Sequence, residues 1–460
     1  MWGEVKNVRL NHLVYIMTDD EYRIGIIQEL IIKNMNTDIL IVGSGCAGLY
    51  CALNLPKDKQ ITVITKSEKE KSDSYLAQGG ICVLRDEEDF DSFFEDTLRA
   101  GHYENNRASV EVMINSSREV IADLEGFGAR FAKNPDGSFN YTKEGAHSQK
   151  RILFHKDITG KEITSKLLAE AEKRENITIL ENTTLIDIIV KDSSCVGAVV
   201  LDSAGEVKVV SCEYTVLATG GVGGLFKHST NFKHLTGDAL AIAIRHGVEL
   251  QNINYIQIHP TTLYNNDESE RSFLISESVR GEGAKLYNKN MERFADELLP
   301  RDLLSKAIME QMSKDKTEFV WEDLRPIGEE ELMWHFPNIV GHCRENNYDV
   351  LNECIPVVPA QHYFMGGIKV NLESKTSMDG LYAIGETACN GVHGRNRLAS
   401  NSLLESLVFA KRAAKDITDK PLKRMQLPEL DLSEYNDVNN LWEEYKMLVI
   451  AEMEKADKEN

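Results

Sequence analysis

The chain has 460 residues, of which 42% are hydrophobic and 27% charged, with a formal net charge of −21 at pH 7; that balance suits a globular protein of two or three domains. It argues against nucleic acid and anionic membrane surfaces as partners, while leaving small anions open, because local arginines decide those. No apolar run approaches the ~18 residues needed to cross a bilayer, and the scattered cysteines form no CxxC pair, which excludes a disulfide framework or a metal-cluster pattern and points to a cytoplasmic location.

Residues 1–34 read as an N-terminal extension dispensable for the fold, and Asp19-Asp20-Glu21 after Val14–Met17 is no signal peptide. Thr37–Val42 is a continuous apolar run, as expected of a parallel strand buried on both faces. Gly43, Ser44, Gly45, Cys46, Ala47 and Gly48 follow, and Leu49–Leu55 continues as a helix, so GxGxxG stands in the strand–turn–helix context of a dinucleotide site. The next strand, Ile61–Ile64, ends at Lys66, where an NAD site would want an acid for the ribose. Ser72–Gly80 is a polar loop ending in two glycines. Residues 87–130 read as packing helices, and Thr142–Ser148, which holds Glu144, as a loop.

A helix over 163–175 and strands at 177–180, 184–190, 195–201 and 206–210 lead to a second buried strand, Val216–Thr219, that returns the chain to the nucleotide site. Asp238 caps a helix over Ala239–Ile244. From about 250 to 360 the pattern predicts irregular loops and short helices, the texture of a lid over a cofactor. Leu381–Ile384 is a strand that stops at Gly385-Glu386. A Gly-rich loop with His393, Arg395 and Arg397 follows, and the side chains of Ser400–Ser402 are expected to cap a helix whose free N–H groups face a flavin ring. Residues 436–454 read as one amphipathic helix.

GSGCAG, AQGG, the LATGG strand, HPTTLY, PRD, HYFMGG and GLYAIGE…HGRNRLASNSLLE occur in this order. Over roughly 35–430 the chain thereby resembles the fumarate reductase/succinate dehydrogenase flavoprotein superfamily and, within it, the L-aspartate oxidases. The resemblance implies an α/β fold: a Rossmann-like FAD-binding domain in two segments (35–252 and 364–433), an inserted α+β capping domain (253–363) and a short C-terminal helical tail (434–460). Members of the oxidase family usually end in a longer helical bundle. Asp73 stands where membrane enzymes of the superfamily carry the histidine that bonds the flavin covalently, so FAD is expected to be held non-covalently. The family's FAD positions map onto Gly43, Ser44, Gly45, Cys46, Ala47, Gly48, Lys66, Asp73, Ser74, Tyr75, Leu76, Ala77, Gln78, Gly79, Gly80, Asp238, Glu386, Ser402 and Leu403.

The resemblance also implies FAD-dependent oxidation of L-aspartate to iminoaspartate, with oxygen or fumarate as acceptor, as the first step of NAD biosynthesis, and hand-over of the product to quinolinate synthase. Arg301 and Arg397 are expected to grip the two carboxylates, and His259, Thr261 and His362 to complete the grip. In the family the equivalent of Arg301 moves the proton in the fumarate direction. Glu144 stands where dicarboxylate enzymes tend to have glutamine. A carboxylate beside a dianion is repulsive by ~4 kcal/mol at about 4 Å and an effective dielectric of about 20, so it makes sense only if the substrate brings an ammonium. Glu144 is the candidate to orient that amine and accept its proton. The alternatives are a soluble fumarate reductase or succinate-oxidising flavoprotein, a flavoprotein subunit that needs an iron–sulfur partner and, more distantly, an NAD-dependent dehydrogenase.

Overall fold

The computed structural model describes residues 35–265, 271–420 and 425–459; the extension expected over 1–34 lies outside them. The first half supplies β1 (Ile39–Val42), α1 (Cys46–Asn54), β2 (Ile61–Ile64), α2 (Thr159–Ala171), β3 (Ile177–Leu180), β4 (Tyr214–Leu217) and α3 (Asp238–Arg245). Then come β5 (Ile256–Leu263), β6 (Lys285–Tyr287), α4 (Arg301–Asp315), β7 (Val320–Asp323) and β8 (Ile355–Phe364), followed by β9 (Leu381–Ala383), α5 (Asn401–Asp419) and α6 (Val438–Glu459).

Five strands form a parallel sheet in the order β9-β4-β1-β2-β3. Alternate residues serve opposite faces. Ile39, Ile41, Ile61, Val63 and Val216 join one core with Leu49, Leu167 and Leu404 of α1, α2 and α5, whereas Leu40, Val42, Ile64 and Leu217 join another with Leu240 of α3 and Leu441 of α6. Burial on both sides is why these runs read as continuously apolar. Because β9 pairs with β4, the glycines after β4 meet Glu386: a Cβ at Gly221 would lie 2.3 Å from its Oε1.

Residues 250–360 are not the irregular region the sequence predicts. They contain an antiparallel sheet in the order β5-β8-β7-β6, packed on Leu304 and Ile308 of α4 and on Leu332, Phe336 and Ile339. Pro260 interrupts β5, Pro356 and Pro359 interrupt β8, and the buried positions include His259, Thr261, Thr262 and Gln361, so neither strand shows clean apolar alternation. The β5–β8 register shifts between His259 and Thr262, a bulge that accommodates the missing N–H of Pro260.

Candidate active site

A cleft partly open to solvent, with about 1700 Å³ of space between its lining atoms including that open part, runs between the two sheets from the β1–α1 turn to His259 of β5. Its first end is built from backbone. Gly43 has φ +122°, and a Cβ there would meet the Ala218 carbonyl oxygen at 2.1 Å; a Cβ at Gly48 would meet the Gly43 oxygen at 2.1 Å. Close packing therefore falls on the first and third glycines. Gly45 lies against the 72–80 loop, to which the helix start is tied by the Cys46 N–H donating to Ser74 Oγ at 3.2 Å.

Gly43, Ser44, Gly45, Ala47, Lys66, Asp73, Ser74, Leu76, Ala77, Gln78, Gly79, Gly80, Asp238, Glu386, Ser402 and Leu403 all line the cleft. Three expected positions do not. The Cys46 side chain is buried in the core beneath α1, Gly48 packs on Gly43, and the Tyr75 ring lies under the Lys161 ammonium, 5.7 Å away. Lys66 pairs with Asp238 at 2.6 Å. Asp238 opens α3 at its first residue and also accepts the Thr236 hydroxyl at 2.6 Å, so its side chain holds the turn in place of a helix cap.

Midway, Asp73 accepts the Phe232 N–H at 3.0 Å and Glu386 the Phe364 N–H at 3.0 Å. Burial pushes Asp73 up to about 7; burial and the facing Asp73 charge push Glu386 up to about 8. Asp73 Oδ2, Gln78 Oε1 and Asn231 Oδ1 are buried in this lining without a hydrogen-bond partner. The expected side-chain capping of α5 is absent. The Ser400 hydroxyl points to Glu144, Asn401 donates to Thr97 Oγ1 at 3.2 Å, and Ser402 Oγ accepts from Arg397 at 3.2 Å. A glycine-built turn, unpaired acceptors and a helix start free of side-chain caps fit FAD.

The second end is built from side chains. Arg301, the first residue of α4, donates Nε to Glu277 at 2.6 Å and a terminal N–H to Gln257 at 2.9 Å. The Arg397 guanidinium lies 4.4 Å from the centre of the Tyr363 ring, with its Nε unpaired. Burial and the nearby Arg301 charge bring Arg397 down to about 10. His259 and His362 meet edge to face at 5.1 Å, and burial with Arg301 nearby holds both well below the usual imidazole range. His259 Nδ1 lies 3.1 Å from the Thr261 N–H and 3.0 Å from the Thr261 carbonyl oxygen, and its Nε2 is buried without a partner. His362 Nδ1 lies 2.7 Å from Thr230 Oγ1.

Glu144 is 3% exposed and lines this end. It accepts Ser278 Oγ at 2.6 Å and Ser400 Oγ at 2.5 Å, and burial and Glu277 raise it above the ordinary carboxylate range. Thr261 is the exception among the expected substrate residues. It is absent from the lining, and its hydroxyl donates to the Ile275 carbonyl at 3.0 Å, because the bulge in β5 turns it into the sheet. Ser276, Glu277 and Tyr363 line the cleft in addition. Tyr363 lies in a motif read from the sequence, but nothing local marks Glu277 among the 73 acidic residues of the chain.

A family model described as an FAD binding domain matches residues 38–403. The chain is similar to the L-aspartate oxidase of Clostridium perfringens, at 52% identity over 83% of this chain and 86% of that one. It is also similar to that of Clostridium acetobutylicum, at 49% over 84% and 88%. Among solved structures it is similar to the E. coli quinol fumarate reductase, with a TM-score of 0.80 and 28% identity over 89% of this chain and 74% of that one.

Proposed function

The chain is an FAD-dependent oxidoreductase belonging to the L-aspartate oxidase family, and from that premise we propose that it converts L-aspartate to iminoaspartate in the side-chain-built end of the cleft. When bound, FAD supplies the acceptor for the hydride leaving Cα and for passage of the electron pair to oxygen, giving hydrogen peroxide, or to fumarate, giving succinate. Arg301 and Arg397 each hold one substrate carboxylate, and the neutral His259 and His362 complete the grip. Glu144 orients the ammonium and accepts its proton, so that a neutral amine can form the C=N bond as the hydride departs. Glu277 fixes the Arg301 fork.

The observation that carries this reading is Glu144, buried in the same lining as the two arginines. Two cations stand against two carboxylates, Glu144 and Glu277, a balance suited to an amino acid and poor for a bare dianion. The FAD domain is read as two segments, 35–252 and 364–433, with 253–363 as the cap and 434–460 as the tail. The product would pass to quinolinate synthase, as the first step of NAD biosynthesis in the cytoplasm. Among the described residues no helix is long and apolar enough to cross a membrane.

The test is anaerobic bleaching of the bound flavin by L-aspartate and by succinate, in the parent protein and in Glu144→Gln. The bleaching rate with aspartate is expected to fall about a hundredfold, the cost of ~3 kcal/mol of lost charge pairing, and that with succinate far less. Equal losses would mean that Glu144 is structural and does not meet the ammonium.

A further inference from the structure

The carboxylate of Glu144 has a second layer of residues behind it. Ser278 Oγ and Ser400 Oγ donate to its two different oxygens at 2.6 and 2.5 Å. A hydroxyl has one proton, so its direction depends on what stands on its other side. Ser400 Oγ accepts the Gly80 N–H at 3.2 Å, and Ser278 Oγ accepts the Ser276 hydroxyl at 3.3 Å. Each serine therefore has a donor at its back and its own proton on Glu144. Ser400 does this at φ +61°, left-handed backbone that favours glycine and costs about 1 kcal/mol or more in any other residue. A glycine there would be free of that strain but would have no hydroxyl to offer.

We propose that Ser278 and Ser400 are positioning residues that hold the Glu144 carboxylate charged and oriented for the substrate ammonium, so that preference for an amino acid over a dicarboxylate is set by three residues. The proposal rests on the reading that Glu144 meets that ammonium. Two hydrogen bonds to the charged form favour it over the neutral one, and they act against burial and the facing Glu277. Arg301 adds to the serines' effect. Glu144 also faces the Cys82 thiol, and His147 lies in its own loop. Without the serines, Glu144 takes up a proton at higher pH and no longer pairs with the ammonium.

The experiment compares pH profiles of kcat/KM for aspartate oxidation and for fumarate reduction in the FAD-loaded protein, in Ser278→Ala, in Ser278→Thr and in Glu144→Gln. In Ser278→Ala the acid limb for aspartate should move up by about one pH unit, which is about a tenfold loss on that limb. Ser278→Thr, which keeps the hydroxyl, should restore it, and the limb for fumarate should move by less than a third as much. If Ser278→Ala does not load FAD, Ser278→Cys, of similar size and with a weak donor, should show the same direction of shift. An unmoved aspartate limb in these variants, while Glu144→Gln still loses aspartate oxidation selectively, would overturn the role of Ser278, and with it the three-residue account, and leave that of Glu144 standing. Equal loss of both activities in Glu144→Gln would overturn the reading of Glu144 and this proposal with it.

Discussion

At one end of the cleft the surface is mostly backbone and small side chains, held by Gly43 against Ala218 and Gly48 against Gly43. At the other, Arg301, Arg397, Glu144, Glu277, His259 and His362 reach in from β5, β8, α4, the 144–148 loop, the short helix Glu277–Gly281 and the loop before α5. The backbone-built end suits a large cofactor common to many enzymes, and it leaves no room for a Cβ at Gly43 or Gly48. The side-chain-built end can change its charge pattern residue by residue without disturbing the sheet. On the proposed reading, affinity for FAD and choice of substrate are set largely at different positions, joined where Ser400 bridges Gly80 and Glu144, and the mutations below exploit that division.

The largest effect should come from the backbone end. In Gly43→Ala the new Cβ would meet a carbonyl oxygen at 2.1 Å with φ at +122°. Neither the strand end nor the turn can yield without breaking the β1–β4 pairing, so the cost should be about 3 kcal/mol or more. The expected outcome is little soluble protein and little flavin per chain, read from the visible absorbance. Near-normal flavin content would mean that the turn is more plastic than its packing indicates.

The same contrast explains what was legible in the sequence. Glycines forced by close approach recur at fixed spacing within one strand–turn–helix unit, so the nucleotide end was readable from Gly43 to Gly48. Even so, the motif did not say that Cys46 would point into the core. The substrate end is assembled across more than 250 residues, from Glu144 to Arg397, and its legible part came from motif resemblance. Glu277 carried no local signal, because its role exists only where it meets Arg301. Thr261 misled, because the Pro260 bulge decides which side chain of β5 turns inward, and a bulge leaves no periodic trace. Ser400 misled differently: a serine before a helix reads as a cap, yet its hydroxyl is taken by Glu144.

At the substrate end, Arg301→Lys should act on turnover and leave flavin content near the parent value. The guanidinium makes two directed bonds, to Glu277 and Gln257, and still has N–H groups to spare. An ammonium is a point charge that cannot hold that fork. The loss in kcat should be roughly a hundredfold to a thousandfold, the range for removing an oriented charge at a reacting centre. Steady-state kinetics on FAD-loaded protein would check it, and a change below threefold would move Arg301 out of the reaction.

The smallest expected effect concerns a carboxylate outside the cleft. Glu322 on β7 is fully buried in the second sheet, and neither of its oxygens has a partner. Burial pushes it up to about 8, Arg280 opposing and Glu297 adding to the shift; the Cys343 thiol also feels its charge. Its folded value lies above its unfolded one, so the native state binds the extra proton. The stability it contributes is full below the unfolded value near 4.5 and is lost as pH rises towards about 8. Glu322→Met, of similar length and uncharged, should therefore raise stability at pH 8 by ~1–3 kcal/mol and flatten the fall in Tm between about pH 5 and 8. Thermal unfolding of the FAD-loaded protein across that range decides it. A variant less stable than the parent at pH 8 would mean that Glu322 is held by Arg280 as an ion pair.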